Sequence, residues 1–149
     1  MRHLILLLAL VFASPAAFAE KQQAVFAGGC FWCMEHDMQG IPGVTKVESG
    51  YTGGAMKTPA YEDVLTEKTG HYEAVRVTFD TTKITYEQLL SRYWPLVDPT
   101  DVGGQFCDRG PSYRTAIFVK PEQQAAADAS RAKIEASGRV RGKIKYRPV

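Results

Sequence analysis

The sequence predicts one domain of α/β or α+β class, and three local patterns predict it. A short apolar run, Ala24-Val25-Phe26-Ala27, stops at Gly28-Gly29 and gives way to a helix-like stretch from Phe31 to Gln39. Tyr72 to Phe79 alternates, with Glu73, Val75, Val77 and Phe79 on one face and Tyr72, Ala74, Arg76 and Thr78 on the other. Thr85 with Gln88 then forms a capping-box signature ahead of Tyr86, Leu89, Leu90, Tyr93, Trp94 and Val97 at helical spacing. Strands and helices are interleaved, which sets the class.

The elements follow in order. Ala24–Ala27 reads as a buried strand, and the helix after the glycine turn ends at Gly40. Val44 to Gly50 reads as a second strand, and Tyr51 to Glu62, rich in Gly, Thr and Pro, as a long loop of the kind that often carries function. The alternating Tyr72–Phe79 strand puts Glu73 on an otherwise apolar face. The helix after Thr85 is expected to end near Pro95. A loop from Asp98 to Ser112 leads to a strand at Thr115–Val119, then to an Ala-rich helix opened by Pro121 and closed by Gly138. Beyond it Arg139, Arg141, Lys143, Lys145 and Arg147 alternate with Val140, Gly142, Ile144 and Tyr146, the pattern of an edge strand defended by positive charge.

The first residues read as a secretory signal: Arg2 and His3, an apolar run from Leu4 to Ala13, and small residues ending Ala17-Phe18-Ala19. About ten apolar residues are too few for the roughly twenty of a spanning helix, so cleavage after Ala19 and export, to a bacterial periplasm, are expected, with no stable membrane insertion. Residues 20–149 suffice for one domain with a real core. A net charge of only +2 speaks against a nucleic-acid or membrane-surface binder. A monomer is expected.

Three cysteines, Cys30, Cys33 and Cys107, are too few for a disulfide scaffold, and an odd thiol in an exported protein asks for a chemical explanation. Cys30 follows two glycines and opens a helix, where unpaired backbone N–H groups and the helix dipole favour thiolate over thiol. Cys33 lies three residues on, on the same helix face, within reach of Cys30. A covalent haem site would need His after Cys33, where Met34 stands, and a structural zinc site needs a second ligand pair that Cys107, His36 and His71 do not form. A general thioredoxin-like disulfide exchanger stays open at this point.

The segment Gly28-Gly29-Cys30-Phe31-Trp32-Cys33-Met34-Glu35 closely resembles the active-site signature of the peptide methionine sulfoxide reductase A family. The resemblance continues through Ser49-Gly50-Tyr51-Thr52-Gly53-Gly54, Pro59-Ala60-Tyr61, Thr69 to Val75, and Gln105 to Gly110 followed by Tyr113-Arg114. It implies a ferredoxin-like α/β sandwich with a mixed sheet and flanking helices. It also implies reduction of the S epimer of methionine sulfoxide, free or in proteins, as a repair of oxidative damage, with no metal or organic cofactor and with thioredoxin or a thioredoxin-like reductant as partner.

Carried over by residue, the resemblance makes Cys30 the nucleophile, left as a sulfenic acid that a second thiol condenses to a disulfide. Cys33 is placed first as that thiol, with Cys107 as the alternative or a second relay. Glu73 is the acid that protonates the sulfoxide oxygen, a role its apolar strand face suits, because desolvation raises a carboxyl pKa. Tyr61 and Tyr113 hold the sulfoxide oxygen through their hydroxyls, Phe31 and Trp32 wall the S-methyl pocket, and Asp108 contacts the substrate backbone. Many family members continue past the position of Val149 with a segment rich in Tyr, His and Asp and often a tail cysteine, so the chain reads as C-terminally short.

Overall fold

The computed structural model describes residues 20–140 and Ile144. The leader at residues 1–19 and most of the basic stretch after Val140 lie outside the described residues, and Arg139, Val140 and Ile144 are not in a strand. The path runs β1 (Lys21–Ala27), α1 (Phe31–Gln39), β2 (Val44–Thr52), α2 (Tyr61–Leu65), β3 (Tyr72–Asp80), α3 (Tyr86–Tyr93), β4 (Gly104–Gln105), β5 (Asp108–Arg109), β6 (Ala116–Phe118) and α4 (Gln124–Ala136), with short 3-10 turns at Trp94–Leu96, Pro111–Tyr113 and Pro121–Gln123.

Four strands form one sheet in the order β2-β3-β1-β6, and β4 pairs with β5 in a separate hairpin. Every pairing in the four-stranded sheet is antiparallel, which corrects the expectation of a mixed sheet. The crossover β1–α1–β2 does run two strands in the same direction, but β3 inserts between them and pairs antiparallel with both.

Alternation along the strands sends Phe26, Val75, Val77, Phe79 and Ile117 to one face, where they join Phe31, Met34 and Met38 of α1 and Leu89, Leu90 and Tyr93 of α3 in the main core. Each fully buried side chain of this size stabilises the fold by about 1.5–3 kcal/mol. The opposite face carries Ala27, Tyr72, Ala74 and Ala116, with Val25 and Phe118 against them. As the sequence predicts, Glu73 falls on the core side.

The α3 capping box forms: the Gln88 N–H donates to Thr85 Oγ1 at 3.2 Å and the Thr85 N–H donates to Gln88 Oε1 at 2.9 Å. Helix α3 stops at Tyr93 because Pro95 has no N–H, and the chain continues as a 3-10 turn. The buried Tyr93 hydroxyl donates to the Ala27 carbonyl at 2.8 Å, and its ring stacks on Phe26 at 4.8 Å. Together these contacts fix the end of β1, just before the glycine turn. Trp94 Nε1 donates to Ser130 Oγ at 2.8 Å and ties α3 to α4.

Two features depart from the sequence reading. Strand β2 runs on to Thr52, so Tyr51 is a strand residue, and a five-residue helix begins at Tyr61 inside what reads as loop.

Candidate active site

The turn from β1 into α1 passes so close to the 3-10 turn after α3 that a Cβ on Gly28 would lie 2.4 Å from Val97 Cγ1. Gly29 adopts φ +88°, and its N–H donates to the Tyr113 carbonyl at 3.1 Å. The glycine pair thus brings the 113 turn to the start of α1. Cys30 is the N-cap, half-buried, and its carbonyl accepts from the N–H groups of Cys33 at 3.1 Å and Met34 at 3.2 Å.

No side chain of the N-cap residue caps this helix. Instead Glu73, from β3, reaches across, and its Oε2 accepts the Phe31 N–H at 3.0 Å. A carboxylate there meets unpaired N–H groups and the positive end of the helix dipole. Glu73 is only 4% exposed. Burial pushes its carboxyl above the usual range, the Phe31 N–H pulls it back in part, and the charges of Asp108 and Glu67 push it up further.

Two tyrosines flank this acid, and a third stands near both of them. Tyr113, in the turn after Gly110, has its phenol pushed up to about 12 by burial first and then by Glu73, Tyr61, Asp108 and Glu67. Tyr51 stands opposite Glu73 in the β2–β3 ladder, and its phenol is raised by burial, then by Glu73, Tyr61 and Glu62. Tyr61, the first residue of α2, is 45% exposed. The Tyr51 and Tyr113 phenols therefore remain donors near neutral pH.

Buried polar ties hold these loops. Glu67 accepts the Ser112 N–H at 2.8 Å on Oε2 and the Ser112 hydroxyl at 2.7 Å on Oε1, which fixes the turn before Tyr113. His71 accepts the Gly54 N–H on Nδ1 at 3.3 Å and donates from Nε2 to the Met56 carbonyl at 2.8 Å, an arrangement that assigns the neutral Nε2–H tautomer. Gln105 is fully buried, accepts the Asp98 N–H at 2.7 Å and donates to the Asp98 carbonyl at 2.8 Å. Its Cβ lies where a Cβ on Gly29 would come within 3.0 Å. The β4–β5 hairpin, with Asp108 at its return, is thereby seated against the glycine turn.

Residues 22–147 match the profile of the family described as peptide methionine sulfoxide reductase. The chain belongs to that family. Among its relatives, peptide methionine sulfoxide reductase MsrA 2 of Caulobacter vibrioides is 65% identical over 137 residues, which cover 88% of this chain and 70% of that protein. The MsrA of Bacillus subtilis is 52% identical over 120 residues, covering 80% of this chain and 68% of that one. These likenesses place it in the A type of the family.

The structure of methionine sulfoxide reductase A of Corynebacterium diphtheriae superposes with a TM-score of 0.73 at 28% identity, covering 85% of this chain and 63% of that one. Mxr1 from Saccharomyces cerevisiae in reduced form superposes with a TM-score of 0.74 at 22% identity, over 91% of this chain and 82% of that one. The yeast protein in complex with Trx2 gives 0.62 at 18% identity, over 93% of this chain and 80% of that one. At those identities the yeast structures speak for the fold.

In this methionine sulfoxide reductase family member, Cys30, Cys33, Phe31, Glu73 and Tyr113 come together around the start of α1, and the charge of Asp108 reaches Cys33, Glu73 and Tyr113. The Cys33 thiol is pushed up by burial, by the charge of Cys30, by a hydrogen bond with Cys30, and by Asp108 and Asp37. Cys33 thus lies within electrostatic reach of Cys30, one turn along α1. Phe31 and Trp32 divide: Phe31 is 7% exposed and belongs to the core, with its ring 5.5 Å from those of Trp32 and Tyr51, whereas Trp32 is 67% exposed. Cys107 is exposed at the hairpin tip beside Phe106.

Sequence reasoning missed Tyr51, Glu67 and Gln105. Tyr51 lies in a quoted motif, but its pairing with Glu73 depends on sheet register. Among the described residues no group of three or more His, Cys, Asp or Glu side chains is placed to hold a metal ion.

Proposed function

We propose that the chain reduces the S epimer of methionine sulfoxide, free or within proteins, to methionine, with Cys30 as nucleophile and Glu73 as acid. The observation that carries this reading is the Glu73 carboxyl, buried, raised above the usual range and bonded to the N–H of the residue after Cys30. A sulfoxide oxygen is a poor leaving group unless it is protonated, and a neutral carboxylic acid next to the nucleophile supplies the proton.

The Cys30 thiolate attacks the sulfoxide sulfur while Glu73 gives its proton to the oxygen, with the Tyr61 and Tyr113 hydroxyls donating hydrogen bonds to it. Methionine leaves, the oxygen stays on Cys30 as a sulfenic acid, and Glu73 recovers a proton from solvent. The Cys33 thiol then attacks the Cys30 sulfur, releasing water and closing a disulfide. Support for Cys33 over Cys107 comes from its place in the first turn of α1, three residues after Cys30 and within electrostatic reach of it, whereas Cys107 lies on the separate β4–β5 hairpin. Trp32, open to solvent, and Phe31 receive the S-methyl group, and Asp108 meets the substrate backbone.

A dithiol protein of thioredoxin type is the proposed reductant. The exposed Cys33 suits attack by such a donor, and the solved complex of yeast Mxr1 with Trx2 is a precedent within the same fold. Strand order β2-β3-β1-β6 around two helical crossovers supports a ferredoxin-like description of the sandwich. The leader pattern at residues 1–19 supports export to a periplasm, where the enzyme acts as a monomer.

The test is turnover. The purified chain with dithiothreitol is given each epimer of a methionine sulfoxide peptide, beside Cys30→Ser, and methionine is measured. Conversion of the S epimer alone, lost in the variant, is expected. Folded protein that converts neither epimer sinks the reading.

A further inference from the structure

The β2–β3 ladder sets Tyr51 directly opposite Glu73. Residues so opposed share a face, with Cβ atoms about 4.5–5.5 Å apart. The Tyr51 ring also lies 5.5 Å from the Phe31 ring, tilted by 36°, and Phe31 supplies the N–H that holds the Glu73 carboxylate. The carboxyl is thus bounded on one side by the start of α1 and on the other by an aromatic ring. Among the described residues the Tyr51 hydroxyl has no protein hydrogen-bond partner.

We propose that Tyr51 is a positioning residue for Glu73: its ring, laid against Phe31 and opposite the acid, keeps water from the carboxyl and so keeps a proton on it. This rests on the reading of Glu73 as the acid of the reduction. The other groups facing Glu73 act differently. The Phe31 N–H, from α1, favours the ionised form, and the charges of Asp108, from the hairpin, and Glu67, after α2, favour the neutral one. Tyr113 faces it from the 3-10 turn as a neutral phenol, and Tyr61 lies beyond. A Tyr51 hydroxyl donating to the carboxylate would lower the Glu73 pKa, so the ring and the hydroxyl predict opposite effects.

The experiment follows the Glu73 carboxyl by carbon NMR in full-length chain labelled at the glutamate carboxyls, with its resonance identified by loss in Glu73→Gln. Tyr51→Phe keeps the ring, and Tyr51→Ser opens the space. The ring account expects the titration midpoint to fall by about one pH unit or more in Tyr51→Ser, and to stay or rise in Tyr51→Phe. The alkaline limb of kcat/KM moves to lower pH by the same amount in Tyr51→Ser alone, which a loss of packing without an electrostatic effect does not produce.

An unchanged midpoint in folded Tyr51→Ser overturns the proposal, and so does a fall in Tyr51→Phe. If Tyr51→Ser does not fold, Tyr51→Phe decides: a midpoint held or raised supports the ring, and a lowered one rejects it. The titration is read whether or not sulfoxide is turned over. A wild-type chain inert on both epimers therefore strikes the reductase reading and leaves the relation of Tyr51 to Glu73 to be judged by NMR.

Discussion

The Glu73 carboxylate accepts the Phe31 N–H at 3.0 Å across 42 residues of sequence. The bond ties a buried strand to the first turn of the helix that Cys30 opens, and it orients an acid beside a thiol. It also works against burial, since it favours the charged form that desolvation penalises.

Replacing the acid while keeping its shape isolates the proton. Glu73→Gln still offers an oxygen to the Phe31 N–H but transfers no proton, so kcat for the S epimer is expected to fall by about 10²–10⁴-fold with little change in KM. Steady-state methionine formation at saturating dithiothreitol measures it. A loss of only a few-fold removes Glu73 from the acid role.

The raised carboxyl also makes stability depend on pH. A group that binds its proton more tightly in the folded than in the unfolded chain contributes stability that is fully present below its unfolded pKa and is lost as pH rises through its folded one. Wild-type stability to urea should therefore decline from the ordinary carboxyl range up through the raised Glu73 value. Glu73→Gln should not show that component of the decline, and parallel curves for the two proteins contradict it.

The nearness of Cys33 to Cys30 in the first turn of α1 predicts what happens when Cys33 is removed. With a dithiol protein of thioredoxin type as the reductant in place of dithiothreitol, which reduces a sulfenic acid directly, Cys33→Ser is expected to release one equivalent of methionine per chain in a burst and then stall, with a sulfenic acid trapped by dimedone and seen by mass. Cys107→Ser should cycle normally with dithiothreitol. Sustained turnover by Cys33→Ser would transfer the resolving role to Cys107.

The approach of the glycine turn to Val97 sets a steric limit. A methyl group at residue 28 meets Val97 Cγ1 at 2.4 Å, so Gly28→Ala is expected to cost about 1–3 kcal/mol through overpacking. Its urea midpoint should fall, and trimming Val97 to Ala in the same chain should restore part of the loss. Equal stability of Gly28→Ala and wild type rejects the contact.

The features legible in the sequence are those written locally. Gly28-Gly29, the Thr85–Gln88 box and the alternation around Glu73 each sit within a few residues, and each forms as read. The direction of the sheet pairings was not legible, because a crossover helix states how two strands run but not what lies between them. The Gly, Thr and Pro residues from Tyr51 to Glu62 have the composition of a loop, which hides the strand end at Thr52, and the short helix at Tyr61 has too few residues to show a period. The ties from Glu67 to Ser112 and from Gln105 to Asp98 belong to tertiary structure, and no local pattern announces them.

Strand β3 has a hydrogen-bonded neighbour on each side, while Tyr61 opens the short helix α2 and Tyr113 ends a 3-10 turn, both outside the sheet. Amides in doubly flanked strands open only with much of the domain, and those of peripheral turns open alone at far smaller free energy. Two tiers of hydrogen exchange are accordingly expected in the site: a slow floor that carries the carboxyl, and a fast rim that carries Tyr61 and Tyr113. Opening of the rim alone would leave the Glu73 carboxyl in its buried environment.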